Sequence, residues 1–239
     1  MIYIRSLVFN ILAYSVIGLG CIANSAIGLF NKDITIKSWN YVVLPTVAFL
    51  LKHIAKITIE VRGKEYLNQD YAVYAGKHQS AVETYTLTTF IPKATYVMKK
   101  ELTKIPVFGW AQAFYGIIPV DRSAGSAAMK TMLRCAKEMV EKKRPIIIFP
   151  EGTRTKNGEM GRFKQGAFKI AMDLHLPVVP ISLVGFYDAM PRNHFYVTPF
   201  SKVQLHIGKP IDLSQFADIN EAMEHLRNQV QEGMKKRVD

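Results

Sequence analysis

Residues 145–154 read Pro-Ile-Ile-Ile-Phe-Pro-Glu-Gly-Thr-Arg, a short apolar run that passes directly into a turn. An apolar run of this length, bounded by proline and glycine, is typical of a buried strand. Pro145–Phe149 is therefore predicted to be a strand that delivers the following Glu-Gly-Thr-Arg segment into a loop at its carboxyl end.

Strands and helices alternate on both sides of this run. Apolar or alternating runs predict strands at Ile57–Val61, Tyr71–Ala75, Thr95–Met98, Ile117–Val120 and Val178–Val184. Amphipathic or helix-favouring patterns predict helices at Ser123–Lys143, Phe163–Leu174 and Asn220–Lys236. Residues 195–207 favour a hairpin or an edge pair. Together these elements predict an α/β fold with a mixed, largely parallel sheet covered by helices.

Length and composition narrow the class of protein. The 239 residues fit one large domain, or one domain with an appendage, and the 49% hydrophobic and 21% charged shares exclude disorder. Cys21 and Cys135, the two cysteines, lie too far apart for a disulfide framework or a Cys-rich zinc module. The net charge of +12 favours a polyanionic partner, which could be nucleic acid, an anionic membrane or a phosphorylated or CoA-type ligand. The sequence has no recognisable nucleic-acid-binding motif, so we expect no nucleic acid partner.

The amino-terminal region differs from the rest of the chain. Residues 6–31 carry no charge, and as a helix these 26 residues would extend about 39 Å, enough to cross a bilayer. Residues 38–51 form a shorter apolar run that favours an interfacial or re-entrant segment. A cleaved signal peptide and a buried soluble helix are alternatives. We expect residues 1–54 to be a membrane-anchoring helical segment, spanning or monotopic, and 55–239 to be the globular domain.

The first candidate site lies in the loop after the predicted strand Tyr71–Ala75, where ligands of open α/β sheets bind. His78 precedes a helix whose first turn contains Glu83. A carboxylate bonded to an imidazole fixes its tautomer and leaves the other ring nitrogen to remove a proton from a hydroxyl. Ser80-x-x-Glu83 is also a capping box, in which Glu83 serves only the helix start. From this loop alone both interpretations stay open.

Two further loops carry cations. Lys99 begins a lysine-rich segment that continues into apolar residues, and Arg122 closes it, which suits an anionic head beside an apolar tail. Arg154 follows the Glu151-Gly152 turn and offers a planar fork for phosphate, while the turn offers backbone N–H groups. Residues 142–169 hold eight basic and two acidic side chains. A solvated surface and an ordinary turn are the alternatives for the two loops.

The order and spacing of these motifs resemble the glycerolipid acyltransferase family, the 1-acyl-glycerol-3-phosphate acyltransferases. The resemblance covers roughly residues 55–210 and rests on four matches: His78 with Glu83; Lys99, Leu102, Pro106, Gly109 and Asp121-Arg122; Phe-Pro-Glu-Gly-Thr-Arg at 149–154; and Val178–Ser182. The chain departs from the family pattern at two positions. Lys77 stands where the family has Asn before the histidine, and Glu83 stands where it has Asp.

The resemblance implies transfer of a fatty acyl group from a thioester to the sn-2 hydroxyl of 1-acyl-glycerol-3-phosphate (lysophosphatidate), giving phosphatidate. The implied roles are as follows: His78 as general base, Glu83 as its orienting carboxylate, Lys99, Arg154 and Arg122 as phosphate ligands, and Glu151, Gly152 and Thr153 as substrate-binding or orienting residues. Acylation of glycerol 3-phosphate or another lysolipid, and a non-catalytic lipid-binding relative, are the alternatives.

No acyl-enzyme is expected, because the sequence lacks a Gly-x-Ser-x-Gly elbow and neither cysteine lies in a candidate loop. The scattered histidines lack ligand spacing, so no metal and no cofactor are expected. The expected partners are lysophosphatidate, membrane lipid, and acyl-CoA or acyl carrier protein as the acyl donor. If the apolar segment spans the membrane, the excess of basic residues after it predicts that the globular domain is in the cytoplasm. The expected location is the cytoplasmic face of a bacterial inner membrane.

Overall fold

The structure, a computed structural model, describes residues 2–67, 70–155, 158–192, 194 and 196–236. One sheet of the described chain contains β1 (Thr58–Arg62), β2 (Val73–Gly76), β3 (Thr95–Lys99), β4 (Ile118–Val120), β5 (Ile146–Ile148), β6 (Val178–Val184) and β7 (Lys202–Ile207). Its strand order is β1-β7-β6-β2-β5-β3-β4. Neighbouring strands are parallel except for β6 and β7, which are antiparallel. The predicted mixed, largely parallel sheet is confirmed.

Helices cover both faces of this sheet. They are α1 (Ile2–Gly28), α2 (Lys32–Ser38), α3 (Leu44–His53), α4 (Ala81–Phe90), α5 (Phe108–Tyr115), α6 (Gly125–Glu141), α7 (Gly166–Asp173), α8 (Phe186–Ala189) and α9 (Ile219–Lys235). Successive strand residues point to opposite faces. Tyr74 and Ile147 therefore lie in the core with α1, α3, α4 and α8, whereas Val73 and Ile146 lie in the core with α6, α7 and α9.

The amino-terminal helices pack on the globular domain. A π-helical turn, Trp39–Val43, joins α2 to α3 into one 22-residue helix, Lys32–His53, which contains the apolar run 38–51. This helix and α1 are both long and apolar enough to cross a membrane by length and composition. Phe9 of α1 is buried in the core of the domain, and the Ser6 hydroxyl accepts a hydrogen bond from the Val197 amide at 3.0 Å. The boundary at residue 54 stays a prediction.

The predicted elements agree with the structure except in two places. Residues 202–207 form the single strand β7, which lies inside the sheet between β1 and β6. The prediction of a hairpin or edge pair over 195–207 is therefore wrong for the described part of that range, and residue 195 lies outside the described residues. The segment after β3, predicted as a loop, contains a 3₁₀ turn at Lys100–Lys104 and then α5.

The topology gathers the candidate residues at one edge. The carboxyl ends of parallel strands meet at the same edge of a sheet, and ligands bind in the crevice outside it. His78, Arg122 and Arg154 lie in the loops that follow β2, β4 and β5, and Lys99 is the last residue of β3.

Candidate active site

His78 and Glu83 form a hydrogen-bonded pair at the carboxyl end of β2. Glu83 occupies the third position of α4 and is fully buried, whereas the His78 side chain is 21% exposed. His78 Nδ1 is bonded to Glu83 Oε1. With Nδ1 held by the carboxylate, Nε2 is the ring nitrogen that remains for proton transfer.

The same carboxylate also caps α4. Glu83 Oε2 accepts from the Ser80 amide at 2.8 Å, and Oε1 accepts from the Gln79 amide at 2.8 Å. The Ser80 hydroxyl completes the capping box by accepting from the Val82 amide. Glu83 therefore makes both kinds of contact that the sequence left open: it caps the start of α4, and it is hydrogen-bonded to the His78 imidazole.

An aromatic ring packs against the face of the His78 imidazole. Phe149, the residue that follows β5, stacks on His78 with the ring centroids 4.2 Å apart and the planes inclined by 8°. Tyr96 of β3 lies on Phe149 with the centroids 6.4 Å apart. The His78 ring is thus held by a hydrogen bond in its plane and by packing on its face, which restricts its orientation.

His78 lines a cavity of about 670 Å³. Part of its wall is apolar and includes Ile17 of α1, Trp39 of the π-helical turn and Phe108 of α5. The amino-terminal helices therefore help to form the cavity as well as packing on the domain. A cavity with an apolar wall beside a His–carboxylate pair suits an acyl chain next to a reacting hydroxyl.

Cationic side chains form another part of the wall. Those that line the cavity are Lys99, Arg122, Arg154 and Arg192. Lys99 is exposed, and its ammonium lies 3.6 Å from the Glu101 carboxylate. Arg192 was not predicted from the sequence. Its guanidinium donates to the Arg154 carbonyl at 3.0 Å and approaches the Thr153 hydroxyl at 3.3 Å.

Glu151, Gly152 and Thr153 occupy different positions around this cavity. Gly152 and Thr153 line it, and Gly152 has a φ of +71°, a conformation that favours glycine. Glu151 is 7% exposed and is not among the lining residues; its Oε1 accepts from the Gly161 amide at 3.3 Å. Among the described residues, the Glu151 side chain therefore contacts the backbone behind the cavity wall and does not face the cavity.

Burial raises the pKa of Glu151 to about 7, although the Gly161 amide and the Lys77 ammonium oppose this shift. A carboxyl whose pKa is higher in the folded chain than in the unfolded chain stabilises the fold at low pH. That contribution is lost as the pH rises from about 4.5 through about 7.

Glu151→Gln is therefore expected to weaken the pH dependence of stability. Between about pH 5 and about pH 8, the wild-type free energy of unfolding should fall by about 2 kcal/mol more than that of the variant. Denaturant unfolding at the two pH values measures the difference. Glu138→Gln, at an exposed position on α6, is the matched control. If the free energy of unfolding changed with pH in the same way for wild type and Glu151→Gln, the raised pKa of Glu151 would be contradicted.

The described residues contain no group of three or more His, Cys, Asp and Glu side chains that could hold a metal ion. The chemistry available at the site is that of the His78–Glu83 pair, the backbone N–H groups of the loop after β5 and the surrounding cations. This set can remove a proton from a hydroxyl and hold a phosphate.

Comparisons with known proteins agree with this geometry. The profile of the Acyltransferase family matches residues 58–184. The chain is 35% identical over 194 residues to the chloroplast 1-acyl-sn-glycerol-3-phosphate acyltransferase of Brassica napus, covering 78% of this chain and 55% of the relative. It is 40% identical over 134 residues to the 1-acyl-sn-glycerol-3-phosphate acyltransferase of Pseudomonas aeruginosa, covering 56% of this chain and 52% of the relative. The chain spans about half the length of these curated relatives.

A solved structure is similar over the whole chain. The crystal structure of the 1-acyl-sn-glycerophosphate acyltransferase of Thermotoga maritima superposes with a TM-score of 0.79 at 26% identity, covering 100% of both chains. The family profile runs from the start of β1 to the end of β6 and contains the four strand ends that bring His78, Lys99, Arg122 and Arg154 together. This protein therefore belongs to the Acyltransferase family.

Proposed function

We propose that this protein transfers a fatty acyl group from an acyl thioester to the sn-2 hydroxyl of lysophosphatidate, which gives phosphatidate. The observation that carries the proposal is the His78–Glu83 pair on a cavity with both apolar and cationic walls. The names of the relatives in Brassica napus and Pseudomonas aeruginosa support the same acceptor.

The proposed mechanism uses His78 twice. Nε2 removes the proton from the acceptor hydroxyl as its oxygen attacks the thioester carbonyl, while Glu83 stabilises the imidazolium through Nδ1. The tetrahedral intermediate then expels the thiolate, which accepts from Nε2 the proton that came from the acceptor hydroxyl. The products are an ester and a free thiol. The donor enters as an acyl thioester and leaves as the free thiol, so it is a substrate and the proposal requires no cofactor.

The acceptor phosphate is proposed to bind the cationic wall. Arg154 is its central ligand, since its guanidinium can hold a phosphate through two parallel hydrogen bonds. Lys99 and Arg122 add charge from the neighbouring loops, and Gly152 and Thr153 contribute the turn that carries Arg154. Fixing the phosphate holds the sn-2 hydroxyl near His78, which is catalysis by positioning.

Acceptor specificity tests the proposal directly. Purified protein in detergent receives oleoyl-CoA with lysophosphatidate, glycerol 3-phosphate, lysophosphatidylcholine or monoacylglycerol. Thiol release and phospholipid product are both measured. We expect transfer to lysophosphatidate to exceed transfer to the other acceptors. No thiol release with any acceptor, or preference for glycerol 3-phosphate, would contradict the proposal. Replacing oleoyl-CoA by oleoyl-acyl carrier protein identifies the donor.

The amino-terminal helices are proposed to hold the protein at a membrane, at the cytoplasmic face of a bacterial inner membrane. Ile4, Ile11 and Ile22 share one stripe of α1 and are 69%, 57% and 59% exposed, respectively. Exposed apolar stripes of this kind mark membrane or protein contacts. A lipid surface would also give an amphiphilic acceptor direct access to the cavity that α1 lines.

Charges on this stripe are expected to weaken membrane binding. The variant Ile11→Glu/Ile22→Glu should lose most of its flotation with vesicles of phosphatidylethanolamine and phosphatidylglycerol, because each glutamate must leave water to enter lipid. Met172→Glu, on α7 at the opposite face of the sheet, is the control. This pair of variants is preferable to removal of residues 1–54, which would uncover the core around Phe9. Undiminished flotation of the double variant would contradict the proposed docking face.

A further inference from the structure

Lys77 is buried at the end of β2, next to the catalytic histidine. Its side chain is 1% exposed, and it stands where the family pattern has Asn. Burying an ammonium group is costly unless the group is hydrogen-bonded and surrounded by compensating charge. The Nζ atom donates to the carbonyl of Gly158. The arrangement therefore ties β2 to the segment that follows Arg154.

That segment is part of a loop between Pro150 and Lys164, here called the 150–164 loop, of which the structure describes residues 150–155 and 158–164. Its two ends meet where the Lys164 amide donates to the Pro150 carbonyl at 3.0 Å. Within it, the Gly161 amide donates to Glu151, and the Thr155 hydroxyl donates to the Glu159 carbonyl at 2.8 Å. Gly152, Thr153 and Arg154, which line the cavity, lie in the first half of this 150–164 loop.

Two bonds fasten the 150–164 loop to the strand end that carries His78. One is the bond from Lys77 to Gly158, and the other runs from the Thr155 amide to the His78 carbonyl at 2.8 Å. Because these bonds join Lys77 and His78 to residues that closely follow Arg154 in the chain, the distance between base and phosphate ligand depends on them.

The charged groups around Lys77 are carboxylates. Burial lowers the pKa of Lys77, and the carboxylates of Glu151, Glu83 and Glu159 oppose that shift. Glu83 belongs to the catalytic pair and Glu151 and Glu159 to the 150–164 loop. The Lys77 ammonium therefore attracts carboxylates of both the catalytic pair and the 150–164 loop, which must keep a fixed position relative to each other.

We propose that Lys77 is a positioning residue that fixes the 150–164 loop against the His78 strand end and thereby sets where Arg154 meets the acceptor phosphate. This inference rests on the proposed function for its kinetic part. Its structural part, the fastening of the loop, can be measured without any activity.

Lys77→Met removes the ammonium group and keeps a long side chain. We expect the KM for lysophosphatidate to rise about 10-fold, with the KM for oleoyl-CoA and the kcat at saturating acceptor changed by less than about threefold. Arg154→Ala, which removes the phosphate ligand itself, sets the upper limit of the effect on KM. Ser182→Ala, which removes a buried hydrogen bond to Val230 on the other side of the sheet, controls for a general loss of stability.

Hydrogen exchange supplies the readout that is independent of activity. In Lys77→Met, peptides that contain the Thr155 and Gly161 amides should exchange faster, whereas peptides from α6 and α9 should be unchanged. Ser182→Ala should not show this local pattern. If wild type fails to acylate lysophosphatidate, the proposed function fails, and the exchange data still decide whether Lys77 fastens the loop.

Thr155→Val provides a second route to the same loop if Lys77→Met does not fold. It removes the bond to the Glu159 carbonyl without changing any charge, and we expect a smaller rise in acceptor KM, about threefold, with faster exchange at Gly161. The inference is overturned if a folded Lys77→Met shows unchanged loop exchange or unchanged acceptor KM. If Lys77→Met does not fold, the inference is overturned when Thr155→Val shows neither faster exchange at Gly161 nor a higher acceptor KM.

Discussion

His78→Ala is expected to reduce acyl transfer to lysophosphatidate by about 10³-fold or more, to near background. The Nδ1–Glu83 hydrogen bond and the stacking on Phe149 hold the imidazole at the cavity, and the other lining residues are cations, neutral polar groups and apolar side chains. No carboxylate or second histidine lines this cavity in the described chain to replace the lost base. Initial rates at saturating donor and acceptor measure the effect.

The control for His78→Ala must separate lost chemistry from a disturbed site. His225→Ala removes an imidazole from α9, on the opposite face of the sheet, and should leave the rate unchanged. Circular dichroism and thermal unfolding show whether His78→Ala keeps its fold, and binding of lysophosphatidate should persist because the cationic wall is intact. A folded His78→Ala protein that retains more than about a tenth of the wild-type rate would exclude His78 as the general base.

The sheet could be predicted because its strands are marked locally. The three isoleucines of β5 have no polar interruption, the apolar run of β6 is interrupted only by Ser182, and both strands lie buried inside the sheet. The place of β7 depended instead on long-range pairing with β1 and β6, which no local pattern contains. Helix α5 follows Val107, a β-branched residue with a φ of +64°, and such a backbone start is set by tertiary contacts.

The candidate site likewise contains some residues that the sequence predicted and others that depend on long-range contacts. His78, Glu83 and Arg154 lie within short motifs that resemble the acyltransferase family, and that resemblance predicted that they would act together. Arg192 comes from the segment after α8 and reaches Arg154 only through the fold. The burial of Lys77 could not be predicted either, because lysine is normally exposed and its partner Gly158 is 81 residues away.

Glu83→Gln is expected to reduce activity by about 10²-fold or more and also to lower stability. The sequence alone suggests that glutamine could preserve the capping box. The structure changes that expectation, because the two carboxylate oxygens accept three hydrogen bonds, from His78, Gln79 and Ser80. An amide has one accepting oxygen, so its NH₂ group must face either the Ser80 amide or the donors on the other side. One function of Glu83 is therefore lost whichever way the amide turns.

Two further variants separate the cap from the orientation of the imidazole. Ser80→Ala removes the hydroxyl half of the cap, including the bond to the Met190 carbonyl, and leaves the Glu83 carboxylate in place. It should cost about 1 kcal/mol of stability with a small change in rate. Glu83→Asp keeps both accepting oxygens but shortens the reach by one methylene, so its rate should fall less than that of Glu83→Gln. Because the two oxygens face different donors, rate and stability need not fall together across this series. If the rates of all three variants followed their stabilities on one line, Glu83 would act on catalysis only through the helix start, and the carboxylate would have no separate role in orienting His78.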